Sequence, residues 1–155
     1  MTAKTQEQKI ELSAVSIEKT QRLMKQAFTK TLLEYPNIDI TVDQWVIIHI
    51  LSQHGALSQS DLGRECQKDA PTITIIVDRL LSKNYVAKAD NPKDGRKKMI
   101  YLTKAGLNIV NKVMPIVYKF RSNCYQGVHE QELKTLDKIL KKITTNLSQP
   151  QPLKS

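Results

Sequence analysis

The residues best suited to chemistry lie between Asp61 and Lys104, and the chemistry is contact with a polyanion rather than catalysis. The run Asp90-Asn91-Pro92-Lys93-Asp94-Gly95-Arg96 is charged and turn-forming. A guanidinium at its end can enter a minor groove and respond to its width and negative potential. The alternative for Arg96 is a salt bridge to Asp94 or Asp90 that only stiffens the turn. Lys93, Lys97 and Lys98 suit phosphate neighbours more than specificity determinants. Further upstream, Thr72 and Thr74 offer small hydroxyls to base edges or phosphates, and Ile75 offers a contact for a thymine methyl group. Arg79 and Lys83 share the exposed side of that segment, and Lys68 lies just before it.

Other chemistries lack their parts. His49 and His54 are five residues apart and do not share a helical face, while His129 is isolated. Cys66 and Cys124 form neither a disulfide framework nor a C-x-x-C pair. There is no nucleophile elbow and no phosphate-cradling glycine loop. We therefore expect no enzyme, no metal and no cofactor. The formal charge is +9. It is unevenly spread: residues 1–54 are balanced at six basic against six acidic groups, residues 55–104 carry ten against six, and residues 105–155 carry eight against three. The excess thus begins where the candidate contacts begin, as a polyanion partner requires.

These side chains need elements to position them. Apolar residues at helical spacing predict a first helix over about 8–33, stopped by Glu34-Tyr35-Pro36-Asn37. Thr41-x-x-Gln44 fits a capping box for a second helix that Gly55 ends, and Ser58-x-x-Asp61 opens a short third ending near Cys66. Asp69-Ala70-Pro71 opens a fourth over Pro71–Lys83, with Ile73, Ile76, Val77, Leu80 and Leu81 on its buried face. Tyr85–Lys88 and Lys98–Leu102 read as paired strands, so the hairpin spans Val86–Leu102. Thr103 caps a fifth helix to about Gln126, and a sixth spans about Glu130–Leu147. A short helix, a turn, a helix and a hairpin arm form the layout that sets one helix in a major groove with an arm beside it. The expected fold is mostly α: a winged helix-turn-helix, with a three-helix core and a two-stranded β wing, plus long N- and C-terminal dimerisation helices.

The stretch Asp61-Leu62-Gly63, Ala70 to Leu80, Asp90-Asn91-Pro92-Lys93-Asp94-Gly95-Arg96 and Leu102-Thr103-Lys104-Ala105-Gly106 resembles the multiple-antibiotic-resistance regulator (MarR) family. The resemblance implies a homodimer built on the first, fifth and sixth helices. It also implies transcription control, usually repression, at a pseudo-palindromic operator, often relieved by small aromatic ligands or thiol oxidation. The chain departs from the pattern at Ile75, where members often carry Arg or Gly, and at Asn84, in place of a common turn glycine. With no cysteine in the first helix, the peroxide-sensing branch that uses one there does not fit.

Dimerisation is also expected from the residues, although the coiled-coil-like spacing of the sixth helix is compatible with packing within one chain too. The helix-turn-helix core leaves three long helices outside it, and one small core cannot cover their apolar stripes. Ile10 and Ile17 on the first helix and Leu133, Leu136, Leu140, Ile143 and Leu147 on the sixth are the expected interface. We expect a dimerisation helix over 1–40, a DNA-binding domain over 41–102, dimerisation helices over 103–147 and a frayed tail over 148–155. Met24, Trp45, His49 and Tyr118 are candidates to line a small-molecule pocket, although such residues are more often core. No run is long enough to span a bilayer and no apolar signal core opens the chain, so a cytoplasmic protein is expected. The partners expected are double-stranded DNA, a second copy and a small aromatic effector, with no membrane. The competing reading is a protein-interaction module, an antagonist of another regulator on the same scaffold, without its own operator.

Overall fold

The computed structural model describes residues 3–148. Helices in the middle of the chain start where an acceptor side chain meets free backbone N–H groups. Thr41 caps α2 (Val42–His54) with the full reciprocal box, since its hydroxyl accepts from Gln44 N and Gln44 Oε1 accepts from Thr41 N. Ser58 caps α3 (Gln59–Cys66), and Asp69 caps α4 (Ala70–Ser82), where Pro71 occupies the first turn. Before them runs α1 (Ala3–Leu33); after them come α5 (Lys104–Cys124) and α6 (Glu130–Ser148). Of the expected tail, Ser148 ends α6 and residues 149–155 lie outside the described residues. No described helix is long and apolar enough to cross a membrane.

The expected helices and hairpin are present; α1 begins at Ala3, five residues before its expected start, and there are two further adjustments. The sheet has three antiparallel strands in the order β1-β3-β2, not the two of a bare wing. Here β1 is Leu57–Ser58, β2 is Val86–Asp90 and β3 is Lys98–Leu102. The short β1 pairs Leu57 with Ile100 and Ser58 with Met99, which anchors the wing's central strand to the start of α3. The second adjustment is that α5 stops at Cys124, two residues early. The chain tightens there through Gln126 N to Asn123 O, and Gly127 takes a positive φ of 82°.

The chain divides into two units, at Phe120–Arg121. The first unit holds the core. Ile47, Ile48, Leu62, Ile73, Val77, Leu80, Val86, Ile100 and Val113 are fully buried, so α2, α3, α4, the hairpin and α5 share one apolar cluster. Phe28 and Leu32 of α1 join it, and the Phe28 ring lies 5.0 Å from that of Phe120. The buried cluster therefore runs across residues 40 and 102, where the elements change. In the second unit, α6 has no buried side chain.

The base of the wing is fastened to α5. Thr103 N donates to Tyr85 O at 3.1 Å, and its hydroxyl donates to Asn84 O at 2.6 Å and accepts from Gly106 N at 3.1 Å. A Cβ at Gly106 would sit 2.1 Å from Tyr85 O, so only glycine permits this approach. Asn84 takes the left-handed φ of 57°, a conformation that asparagine tolerates better than most residues.

Candidate nucleic-acid interface

The turn between α3 and α4 is set by backbone geometry. Gln67 is left-handed at φ 53° and caps α3, while Lys68 N reaches back to Gly63 O at 3.0 Å. Asp69 Oδ1 then accepts from Thr72 N at 2.8 Å. The Thr72 hydroxyl first, and this backbone bond second, hold the Asp69 carboxyl below its ordinary value, as befits a charged cap on a helix N-terminus. Asp61 is lowered in the same way, first by Ser58 and then by Arg64.

Burying Ile73, Ile76, Val77 and Leu80 turns the opposite side of α4 outward. Thr74, Ile75, Asp78 and Arg79 are exposed, and Ile75 is 55% exposed despite being apolar. Thr72 is half-buried. The Thr74 hydroxyl donates to Ala70 O at 3.0 Å, so its free lone pair faces out and draws Gln59 Nε2 to 3.5 Å. Thirteen residues make this helix about 20 Å long, enough to cross a major groove. Asp78 lies 3.8 Å from Lys88 of β2, a link between the outer face of α4 and the wing.

At the wing tip the chain folds on itself. Asn91 N donates to Lys97 O at 2.9 Å and Lys97 N to Asp94 O at 3.0 Å. The Asp94 carboxylate accepts from the backbone N of Arg96 at 3.1 Å, and Asn91 Oδ1 from that of Lys93 at 2.9 Å. Asp90 pairs with Lys98. Both tip carboxylates thus shape the turn without engaging the Arg96 guanidinium. Among the described residues, Lys93, Arg96, Lys97 and Arg79 have no carboxylate partner, and all four are exposed.

The two remaining candidate cations are placed differently. Lys68 Nζ lies 3.1 Å from Asp43 Oδ1, and Lys25 of α1 holds the same carboxylate at 3.0 Å. Burial alone raises the Asp43 carboxyl, but hydrogen bonds from Lys25 and Lys68 outweigh it and hold the group below its ordinary value. Lys83 caps the end of α4 and turns its ammonium to Asp39 and Gln44. Sequence reasoning missed Lys25, Asp39 and Asp43. Asp39 was visible only as a residue just before a capping box and Asp43 only as one inside it, and their partners lie far along the chain.

Of the candidate pocket residues, Trp45 is buried and stacks on His49 with ring centroids 5.3 Å apart. Met24 is half-buried, whereas Tyr118 is 63% exposed. A groove of about 520 Å³ lies between α1 and the connection to α2, lined by Lys25, Thr29, Leu32, Tyr35 and Ile38–Asp43. Burial pushes the Cys66 thiol up, which disfavours the reactive thiolate. No group of metal-ligating side chains occurs among the described residues. The candidate interface residues Ile10, Ile17, Leu133, Leu136, Leu140, Ile143 and Leu147 are all exposed.

The MarR family model matches residues 40–98, from the start of α2 to the second strand of the wing. The HTH-type transcriptional repressor IacR of Pseudomonas putida is 27% identical over 110 residues, which are 71% of this chain and 66% of that protein. The match thus spans just under two thirds of that relative's length. Among solved structures, a Cys-to-Ser mutant of MarR from E. coli, complexed with operator DNA, superposes with a TM-score of 0.78 at 23% identity, covering 87% of this chain and 95% of that one. BpsR of Bordetella bronchiseptica, whose DNA binding is regulated by 6-hydroxynicotinic acid, gives a TM-score of 0.74 at 22% identity, covering 84% and 91%. The structural likeness establishes the winged-helix fold. Residues 40–98 thus match the MarR family model, and the curated relative named above is a transcription repressor.

Proposed function

We propose that the chain is a sequence-specific DNA-binding transcription regulator that acts as a homodimer on a pseudo-palindromic operator. The observation that carries this reading is the pairing of two surfaces. An outward face of α4 bearing Thr74, Ile75 and Arg79 stands in the same fold as a wing whose tip cations, Lys93, Arg96 and Lys97, lack carboxylate partners among the described residues. In this reading α4 enters the major groove, Thr72, Thr74 and Ile75 choose the sequence, and the wing follows the backbone into the minor groove. The exposed stripes of α1 and α6 supply the contact with a second copy. Such a protein works in the cytoplasm, and repression is the mode we assign, as in IacR. The effector we assign is a small aromatic acid, by analogy with BpsR.

The test is a fluorescence-polarisation titration against fragments of the source genome at two salt concentrations. We expect at least one fragment to bind far more tightly than the rest, with affinity falling steeply as salt rises. Capture of a protein partner, with no fragment preferred at either salt, would replace this reading by the antagonist one.

A further inference from the structure

Two lysines bracket the reading helix, and both turn away from its outer face. Lys68 precedes the Asp69 cap by one residue, and Lys83 is the cap at the other end. Their ammonium groups reach the same six-residue segment, Asp39–Gln44, which leads into α2. The Lys83 ammonium has three N–H donors and three oxygens in range: Asp39 O at 2.8 Å, Asp39 Oδ1 at 2.9 Å and Gln44 Oε1 at 3.3 Å. Gln44 is itself 3% exposed and also accepts from Thr41 N, so this anchor rests on an immobile group. Lys68 meets Asp43 with its side chain only 24% exposed, and Lys25 ties the same carboxylate to α1.

The Lys83 ammonium, its three donors already used, must break those bonds to reach a phosphate, and the Lys68 ammonium must share or leave the Asp43 carboxylate to do so. We propose that Lys68 and Lys83 are positioning residues: with Asp43 and Asp39 they hold both ends of α4 on the start of α2 and set the angle at which its outer face meets DNA. This rests on the DNA-reading function proposed above. Isolated exposed ion pairs contribute little to stability. Here the consequence is orientation, because the two pairs act at opposite ends of one helix and a small tilt moves Thr74, Ile75 and Arg79 together. The pair at Asp43 also makes α1 part of the frame.

The sign of the aspartate variants separates this from a simple phosphate role. If Lys68 and Lys83 contact phosphate, neutralising the aspartates frees them and removes repulsion, so DNA binding tightens. If they form a frame, the same changes weaken specific binding. We would titrate wild type, Asp39→Asn and Asp43→Asn with a duplex enriched by the wild-type protein from a randomised library, and with a scrambled duplex of the same composition. The expected result is an affinity for the enriched duplex about five- to tenfold weaker in each variant, roughly one kilocalorie converted to a ratio, with scrambled-duplex binding unchanged or tighter. Enriched-duplex binding as tight as wild type, or tighter, in both variants overturns the proposal. If one variant does not fold, the other carries the test. Should the wild-type protein enrich no duplex, the DNA reading fails and amide exchange in the free protein decides the frame alone. Faster exchange along α4 in the variants supports it, and unchanged exchange in both overturns it.

Discussion

Helices α4 and α6 both carry a regular apolar stripe, yet the fold treats them in opposite ways. In α4, Ile73, Val77 and Leu80 are wholly buried and Ile76 nearly so. In α6, Leu133, Leu136, Ile139, Leu140, Ile143 and Leu147 are between 37% and 76% exposed. A contiguous apolar stripe left facing water is the kind of surface that marks an interaction site, and we assign it to the proposed contact with a second copy. On the proposed reading, the contrast separates what this chain stabilises alone from what a second copy would complete. It also shows how a helix with little positive charge could serve as the proposed reader. Its inner face is spent on the core, its outer face holds hydroxyl and apolar groups, and the cations are supplied by the wing.

The largest effect we expect comes from attacking the two stripes separately. Leu136→Lys with Leu140→Lys should turn a two-chain species into a single chain by sedimentation, because pairing would bury the two fifths of each leucine still exposed, about 0.5–1 kcal/mol per side chain in each protomer, and would strand two ammonium groups there. Leu80→Ala should instead lower the stability of the fold itself, by about 2–5 kcal/mol in denaturant unfolding. If the α6 pair leaves the sedimentation coefficient unchanged, α6 is not the interface and the comparison fails.

Next in size is the wing. Arg96→Ala should weaken binding to the enriched duplex by about 1–3 kcal/mol while leaving the oligomeric state intact. Unchanged affinity would remove the wing from the DNA surface and leave α4 to act alone.

The smallest effect concerns the acid between two lysines. Because the folded-state carboxyl of Asp43 is depressed, its contribution to stability is present above the unfolded value and is lost as pH falls through the folded value. Asp43→Asn should therefore be less stable than wild type near neutral pH, by less than about 1 kcal/mol given its partial exposure. The difference should close in acid. A gap that persists at low pH would mean that packing, not charge, sets the role of Asp43.

Local signals in the chain translated well into structure. Thr41 with Gln44, Ser58 with Asp61, and Asp69 with Pro71 each mark a helix start, because a cap is decided within four residues. The buried and outward faces of α4 were legible from spacing alone. The strand β1 was not, since two residues carry no alternation to detect. Nor were the pairs of Lys68 with Asp43 and Lys83 with Asp39, because they join residues 25 and 44 positions apart and exist only once α2 and α4 are packed. Those pairs changed the expected DNA surface most. In the proposed frame Lys68 and Lys83 serve as supports, and Lys93, Arg96 and Lys97 would carry the charge toward DNA.

The most direct test of the account is the stoichiometry of the protein on its enriched duplex, measured by sedimentation equilibrium at low salt. Two exposed stripes per chain and one reading helix per chain predict two chains on one duplex. One chain per duplex, or no complex at all, would contradict it.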